Sequence, residues 1–131
     1  EFRRVLFRSP VNKPGDDLDA IFSGLKDGIT CLEEATSWLL ANAKSNTESV
    51  AAGAVPYLRL FATVAGGYMM ARMARCAHEG LFANDGEANF YNAKIIAARF
   101  FAEGLLPQVR GLLKPVMGGS KAAVHISNDQ F

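Results

Sequence analysis

Histidine, cysteine and tryptophan are scarce in this sequence: two, two and one among 131 residues. With no CxxC pair and no His/Cys cluster at zinc-ligand spacing, a structural zinc site is excluded. Cys31 and Cys76 are too few for a disulfide scaffold and fit a reduced, cytoplasmic protein. Charge of one sign is also missing, with 14 Lys and Arg against 13 Asp and Glu. No basic surplus exists to hold a nucleic acid, so none is expected as a partner. No segment alternates with period two, which leaves a β-sheet without a sequence to build it.

The first nine residues, EFRRVLFRS, stand apart. They resemble the translation of a sequencing-adapter oligonucleotide, and no apolar run follows them as one would in a signal peptide. Residues 1–9 are therefore read as a non-native tag, and residues 10–15 (PVNKPG) as a linker. Removing the tag's net +2 from the chain's +1 leaves −1. A tag in this position also implies that native sequence was lost upstream. Residues 16–131 remain as one domain, long enough to bury a core.

What the sequence has in abundance is small and apolar residues, concentrated in Thr47–Gly80. Alanine and glycine recur at Ala51, Ala52, Gly53, Ala54, Ala62, Ala65, Gly66, Gly67, Ala71 and Ala74. Larger residues at Tyr57, Phe61, Val64 and Tyr68, flanked by Leu58 and Met69, keep the spacing of a helix face. This is the expected central rod of a helical bundle. Val50–Ala71 also reaches the roughly 20 apolar residues that a membrane span needs. Arg59 near its middle argues against one, at about 2.5–3.5 kcal/mol for insertion, as do the amphipathic segments on either side.

A first helix opens at Asp16, with Asp19 in its first turn. Its stripe runs through Leu18, Ile21, Phe22, Leu25, Ile29, Leu32 and Leu39, passes Ala35 and Thr36, and leaves Trp38 at its margin. Gly24 and Gly28 form a GxxxG that predicts close packing in a bundle. This helix is expected to end near Ala43. Ser45–Glu48 reads as a capping box for the second helix, Pro56 as a kink in it and Gly80 as its stop. After a loop at Leu81–Gly86, Asn84 and Glu87 give a third capping signal. A third helix follows from Asp85 to Leu113, carrying Phe90, Tyr91, Ile95, Ile96, Phe100, Phe101, Leu105 and Val109. Pro107 should kink or break it, and Pro115 with Gly118–Gly119 should end it. The expected fold is all-α: an antiparallel bundle of three long helices with a short C-terminal tail, a kink at Pro56 or Pro107 adding a fourth. Helices of about 26 to 34 residues would be some 40–50 Å long.

A hairpin centred near Asn46 sets Arg59 level with Glu33 and Glu34, which predicts an ion pair between the first two helices. It also separates Cys31 from Cys76 by about 22 Å along the axis, beyond the reach of a disulfide. Both thiols are expected to be small buried hydrophobes. His78–Glu79 starts like HExxH, but Gly80, Leu81 and Phe82 follow and the second histidine is missing. His125 has no Ser/Asp partners. Arg99 and Glu103 should pair at i, i+4. Arg72, Arg75, Lys94 and Arg99 form an acid-binding face only if the fold makes them converge. Gly66–Gly67 lacks the strand–turn–helix context of a phosphate loop. No catalytic, cofactor-binding or metal-binding residue is assigned in the chain.

Three segments together resemble a known family. They are YLRLFATVAGGYMMARMARCA (Tyr57–Ala77), FYNAKIIAARFFAEGLLPQV (Phe90–Val109) and a closing SNDQF (Ser127–Phe131). They look like the C-terminal helical domain of the acyl-CoA dehydrogenase family, in the branch of the 3-methylmercaptopropionyl-CoA dehydrogenase-like enzymes. The shared pattern is Tyr57-Leu58-x-Leu60-Phe61 with paired small residues after it, then Ala93-Lys94-x-x-x-Ala98-Arg99-Phe100-Phe101-x-Glu103. The likeness spans Leu18 to Phe131 and lies in packing motifs.

The resemblance implies a parent flavoprotein of fatty acid metabolism that removes α and β hydrogens from an acyl-CoA thioester. In that parent a glutamate takes the α proton and FAD accepts the β hydride. The glutamate of this branch sits in a segment like YEGTNGIQ, which does not occur here, so FAD and acyl-CoA are expected for the parent only. The implied partners are the parent's catalytic body and, in a homo-oligomer, a neighbouring subunit. The alternative is a free-standing helical interaction or oligomerisation module.

Overall fold

The computed structural model describes residues 16–83 and 86–118. Among these, five α-helices and one 3-10 turn account for nearly all of the chain, and no strand is present. The helices are α1 (Asp16–Asn42), α2 (Thr47–Ala52), α3 (Ala54–Ala83), α4 (Ala88–Gly104) and α5 (Val109–Gly118), with the 3-10 turn at Leu106–Gln108 between α4 and α5. Two of the three long rods expected from the sequence are thus interrupted.

The first interruption lies at Gly53, three residues before the proline expected to cause it. Pro56 has no N–H to give the carbonyl four residues back, that of Ala52, so the helix ladder loses its rung there. Gly53 and Tyr57 keep theirs, donating to the carbonyls of Ser49 at 3.1 Å and Gly53 at 3.0 Å. The break is also a packing site. A Cβ on Gly53 would lie 2.7 Å from the carbonyl oxygen of Val116, so α5 rests directly on the glycine backbone.

The second interruption is where Pro107 was expected to act. α4 ends at Gly104, and the chain tightens into the 3-10 turn around Pro107 before α5 begins. Pro115 does not end α5, which runs on to Gly118. The carbonyl left without a donor by Pro115 is that of Gly111, and both residues are on the exposed side, open to solvent.

Helix ends moved as well. Asn42 closes α1 by donating its side-chain amide to the Trp38 carbonyl at 2.8 Å. Asn46, not Ser45, caps α2, its Oδ1 accepting from Ser49 N at 3.4 Å. Gly80 is not a stop: α3 continues to Ala83, through the residues expected to be loop. A Cβ on Gly80 would sit 2.5 Å from the Tyr91 ring, so this glycine lets α4 approach α3. The turn between them uses Gly86 instead, at φ +93°, a backbone region that favours glycine. α4 begins at Ala88 rather than Asp85, and Glu87 at its cap position makes no side-chain capping bond.

Contacts fix the running directions. Thr36 meets Tyr57 and Gly28 lies against Val64, so α3 returns along α1. Gly80 meets Tyr91 and Gly66 meets Phe101, so α4 returns along α3. The GxxxG of α1 packs as expected, Gly24 against Ala102 of α4 and Gly28 against Leu106 and Val64. Leu18, Ile21, Leu25 and Ala35 of the predicted stripe are buried, with Phe22, Ile29, Leu32 and Leu39 packed around them.

The buried face of α3 is not the aromatic one. Val64 is fully buried, but Phe61, Leu58 and Met69 are exposed and Tyr57 and Tyr68 only partly covered. The core side is Leu60, Val64, Gly67, Ala71 and Ala74. With two alanines and a glycine on that side, α3 can sit close to α1 and α4 at once. The bulky side chains would have held them apart, and so they line the flank.

Candidate functional site

The described surface includes the following two clefts. The first, about 220 Å³, lies between α1 and the turn into α5, lined by Gly24, Asp27, Gly28 and Cys31 on one side and Leu106, Pro107, Val109 and Arg110 on the other. Cys31 is buried here. Burial pushes its thiol up from the ordinary range, and the nearby Arg110 charge opposes that shift without cancelling it. A protonated, enclosed thiol is a poor nucleophile. Cys76, expected to be buried too, is exposed on α3, and both cysteines are free. Its neighbour Ala77 takes the inward position, because a rotation of about 100° per residue lets only one of the two face the core.

The second cleft, about 250 Å³, lies at the end of the bundle where α1 starts. Asp17 and Leu18, His78 and Leu81, and Asn92, Ile95 and Ile96 line it. His78 is half-buried and stands edge-on to Phe82, with ring centroids 4.9 Å apart. His125 and the closing SNDQF lie outside the described residues, as do the tag, the linker and the tail.

The cations do not converge into an acid-binding face. Arg72 lies over the Tyr68 ring at 5.8 Å, and Lys94 over Phe90 at 4.9 Å. Arg75 pairs with Glu79 at 3.1 Å. Arg99 donates to Glu103 at 2.7 Å, as its spacing predicted, and its Nη1 also donates to Asp17 across to α1. These bonds, Asp17's foremost, hold the Arg99 guanidinium above its usual pKa, so it stays charged at any working pH. The Asp17–Arg99 pair links residues far apart in sequence, and no spacing rule could have found it.

Arg59 makes no ion pair with Glu33 or Glu34 among the described residues. The expected register is right, since Thr36 and Tyr57 meet around the same turn. The helix phase overturns the pairing: Leu60 faces the core, and Arg59, one residue earlier, points to solvent.

Both clefts fall below the roughly 300–1,000 Å³ of typical ligand sites. The glycine pair Gly66–Gly67 is inside α3, closed over by Phe101 and Leu106 at 3.0 Å and 2.8 Å from the added Cβ positions. Among the described residues, no group of three His, Cys, Asp or Glu could hold a metal ion. Nor is any of their helices long and apolar enough to cross a membrane.

What the surface offers instead is apolar side chains. Leu58 and Met69 on α3 and Phe90, Ile96 and Phe100 on α4 are all more than half exposed. Residues 6–127 match the family model described as "Acetyl-CoA dehydrogenase C-terminal like". The chain belongs to that family. No curated protein matches it. Family membership supports an accessory domain of an acyl-CoA dehydrogenase-like protein, in agreement with the resemblance in Tyr57–Ala77 and Phe90–Val109.

Proposed function

We propose that this chain is the C-terminal accessory domain of a FAD-dependent acyl-CoA dehydrogenase, in the branch of the 3-methylmercaptopropionyl-CoA dehydrogenase-like enzymes. The parent would desaturate an acyl-CoA thioester between its α and β carbons. Flavin and catalytic glutamate belong to the parent's catalytic body, and the bundle serves as a scaffold that packs on that body within a homo-oligomer. The family match across residues 6–127 carries this reading. Its support in the fold is that large apolar side chains such as Phe90, Ile96 and Phe100 are exposed, while Arg75, Lys94 and Arg99 are engaged with their own neighbours.

The test is to recover the reading frame that encodes this chain and express it with and without the upstream portion. The joined protein should bind FAD and reduce a dye in an acyl-CoA-dependent manner. The chain by itself should do neither. A native start immediately before Pro10, with no flavoprotein body upstream, would overturn the proposal in favour of a free-standing interaction module.

A further inference from the structure

A helix on a free surface turns polar residues outward. α4 does the reverse. Phe90, Ala93, Ile96, Ala97, Phe100 and Gly104 recur at helical spacing on the side opposite its buried Ile95, Ala98 and Ala102. Phe90 is 53% exposed, Ile96 67% and Phe100 72%. Lys94 reaches over the Phe90 ring at one end of this strip, and Arg99 and Glu103 keep to its margins. Over the length of α4 it runs about 25 Å.

The start of α1 lies beside this strip. Asp17 is held by Arg99, and Asp17 and Leu18 share a cleft with Asn92 and Ile96. The first residues of α1 therefore stand at the edge of the α4 face. The exposed Leu58 of α3 is at the other end, next to the Tyr57 that meets Thr36, some 28 Å along α1 from Asp17.

We infer that the outward face of α4 is the docking surface for the catalytic body of the same polypeptide, with Phe90, Ile96 and Phe100 as its apolar anchors. This rests on the proposed reading as an accessory domain. The body then covers an apolar strip beside the start of α1, with Lys94, Arg99 and Glu103 at the polar rim.

Hydroxyl-radical footprinting of the isolated chain and of the joined protein tests it. Oxidation of Phe90, Ile96 and Phe100 should fall several-fold on joining, because a desolvated interface core excludes solvent from the side chains it covers. The double variant Ile96→Lys/Phe100→Lys should restore oxidation of Phe90 in the joined protein, while leaving the melting temperature of the isolated chain unchanged. Unchanged oxidation of the three residues in a joined protein that binds flavin would overturn the docking face and leave the proposed function standing. So would protection confined to Leu58 and Met69. Protection of the α4 strip already present in the isolated chain, with a dimer on size exclusion, would assign the face to a second copy. A reading frame with no flavoprotein body would sink both proposals.

Discussion

The Tyr57 hydroxyl donates a hydrogen bond to Thr36 Oγ1 across the α1–α3 interface, at 2.9 Å. The direction follows from proton counting. Thr36 has one hydroxyl proton, and it is directed at the Leu32 carbonyl 2.7 Å away, so Tyr57 must supply the proton between the two side chains. This bond, near the turn that joins the helices, locks their register.

Replacing Tyr57 with Phe should cost about 0.5–1.5 kcal/mol, the usual net value of a hydrogen bond. Urea denaturation of Tyr57→Phe, Thr36→Val and the double variant gives the coupling. Additivity within about 0.3 kcal/mol would mean that the two groups do not interact.

The phase of α3 makes a second prediction. Leu60 is completely buried and Phe61 is 44% exposed, although Phe61 belongs to the large-residue face legible in the sequence. Leu60→Ala should destabilise the fold by about 2–5 kcal/mol through the cavity it leaves. Phe61→Ala, despite deleting more atoms, should cost clearly less. The reverse order in thermal melts would place the aromatic face inward after all.

Glycines that look alike in sequence should respond with opposite signs. Gly53→Ala forces a methyl to within 2.7 Å of a backbone oxygen on α5, which cannot swing away, and should cost about 1–3 kcal/mol. Gly111, inside α5, has nothing within 4 Å of an added Cβ. Gly111→Ala should stabilise by about 0.4–1 kcal/mol, because alanine restricts the unfolded chain and favours the helix. Equal shifts in melting temperature for both would contradict the packing described.

The two thiols should separate by reactivity. Iodoacetamide should label Cys76 readily in the native protein and Cys31 only on unfolding, as read by mass spectrometry. Cys31 also predicts a pH dependence. Its folded pKa is raised, so its contribution to stability is complete below the pKa of an unfolded thiol. As pH climbs past that value the unfolded state loses its proton first, and stability falls until the folded thiol also ionises. Cys31→Ala should flatten this alkaline decline.

Local sequence determined which segments are helical, the turn near Asn46, the stripe of α1, the close approach at Gly24 and Gly28, and the break at Pro107. These depend on backbone chemistry and periodicity within a few residues, so they could be read directly. The register of α1 against α3 was legible for the same reason, since a short turn leaves little freedom. Phase was not. Whether Leu60 or Phe61 turns inward depends on how closely three helices can approach together, and that is settled by contacts such as Gly67 with Leu106 and Gly80 with Tyr91. The same geometry sent Arg59 to solvent, exposed Cys76 and turned Phe100 outward. It also brought Asp17 to Arg99. Sequence motifs were enough to suggest the family. Which face of α4 is left uncovered, and that the start of α1 lies beside it, only the assembled bundle decided, because burial belongs to the whole packing and not to any one helix.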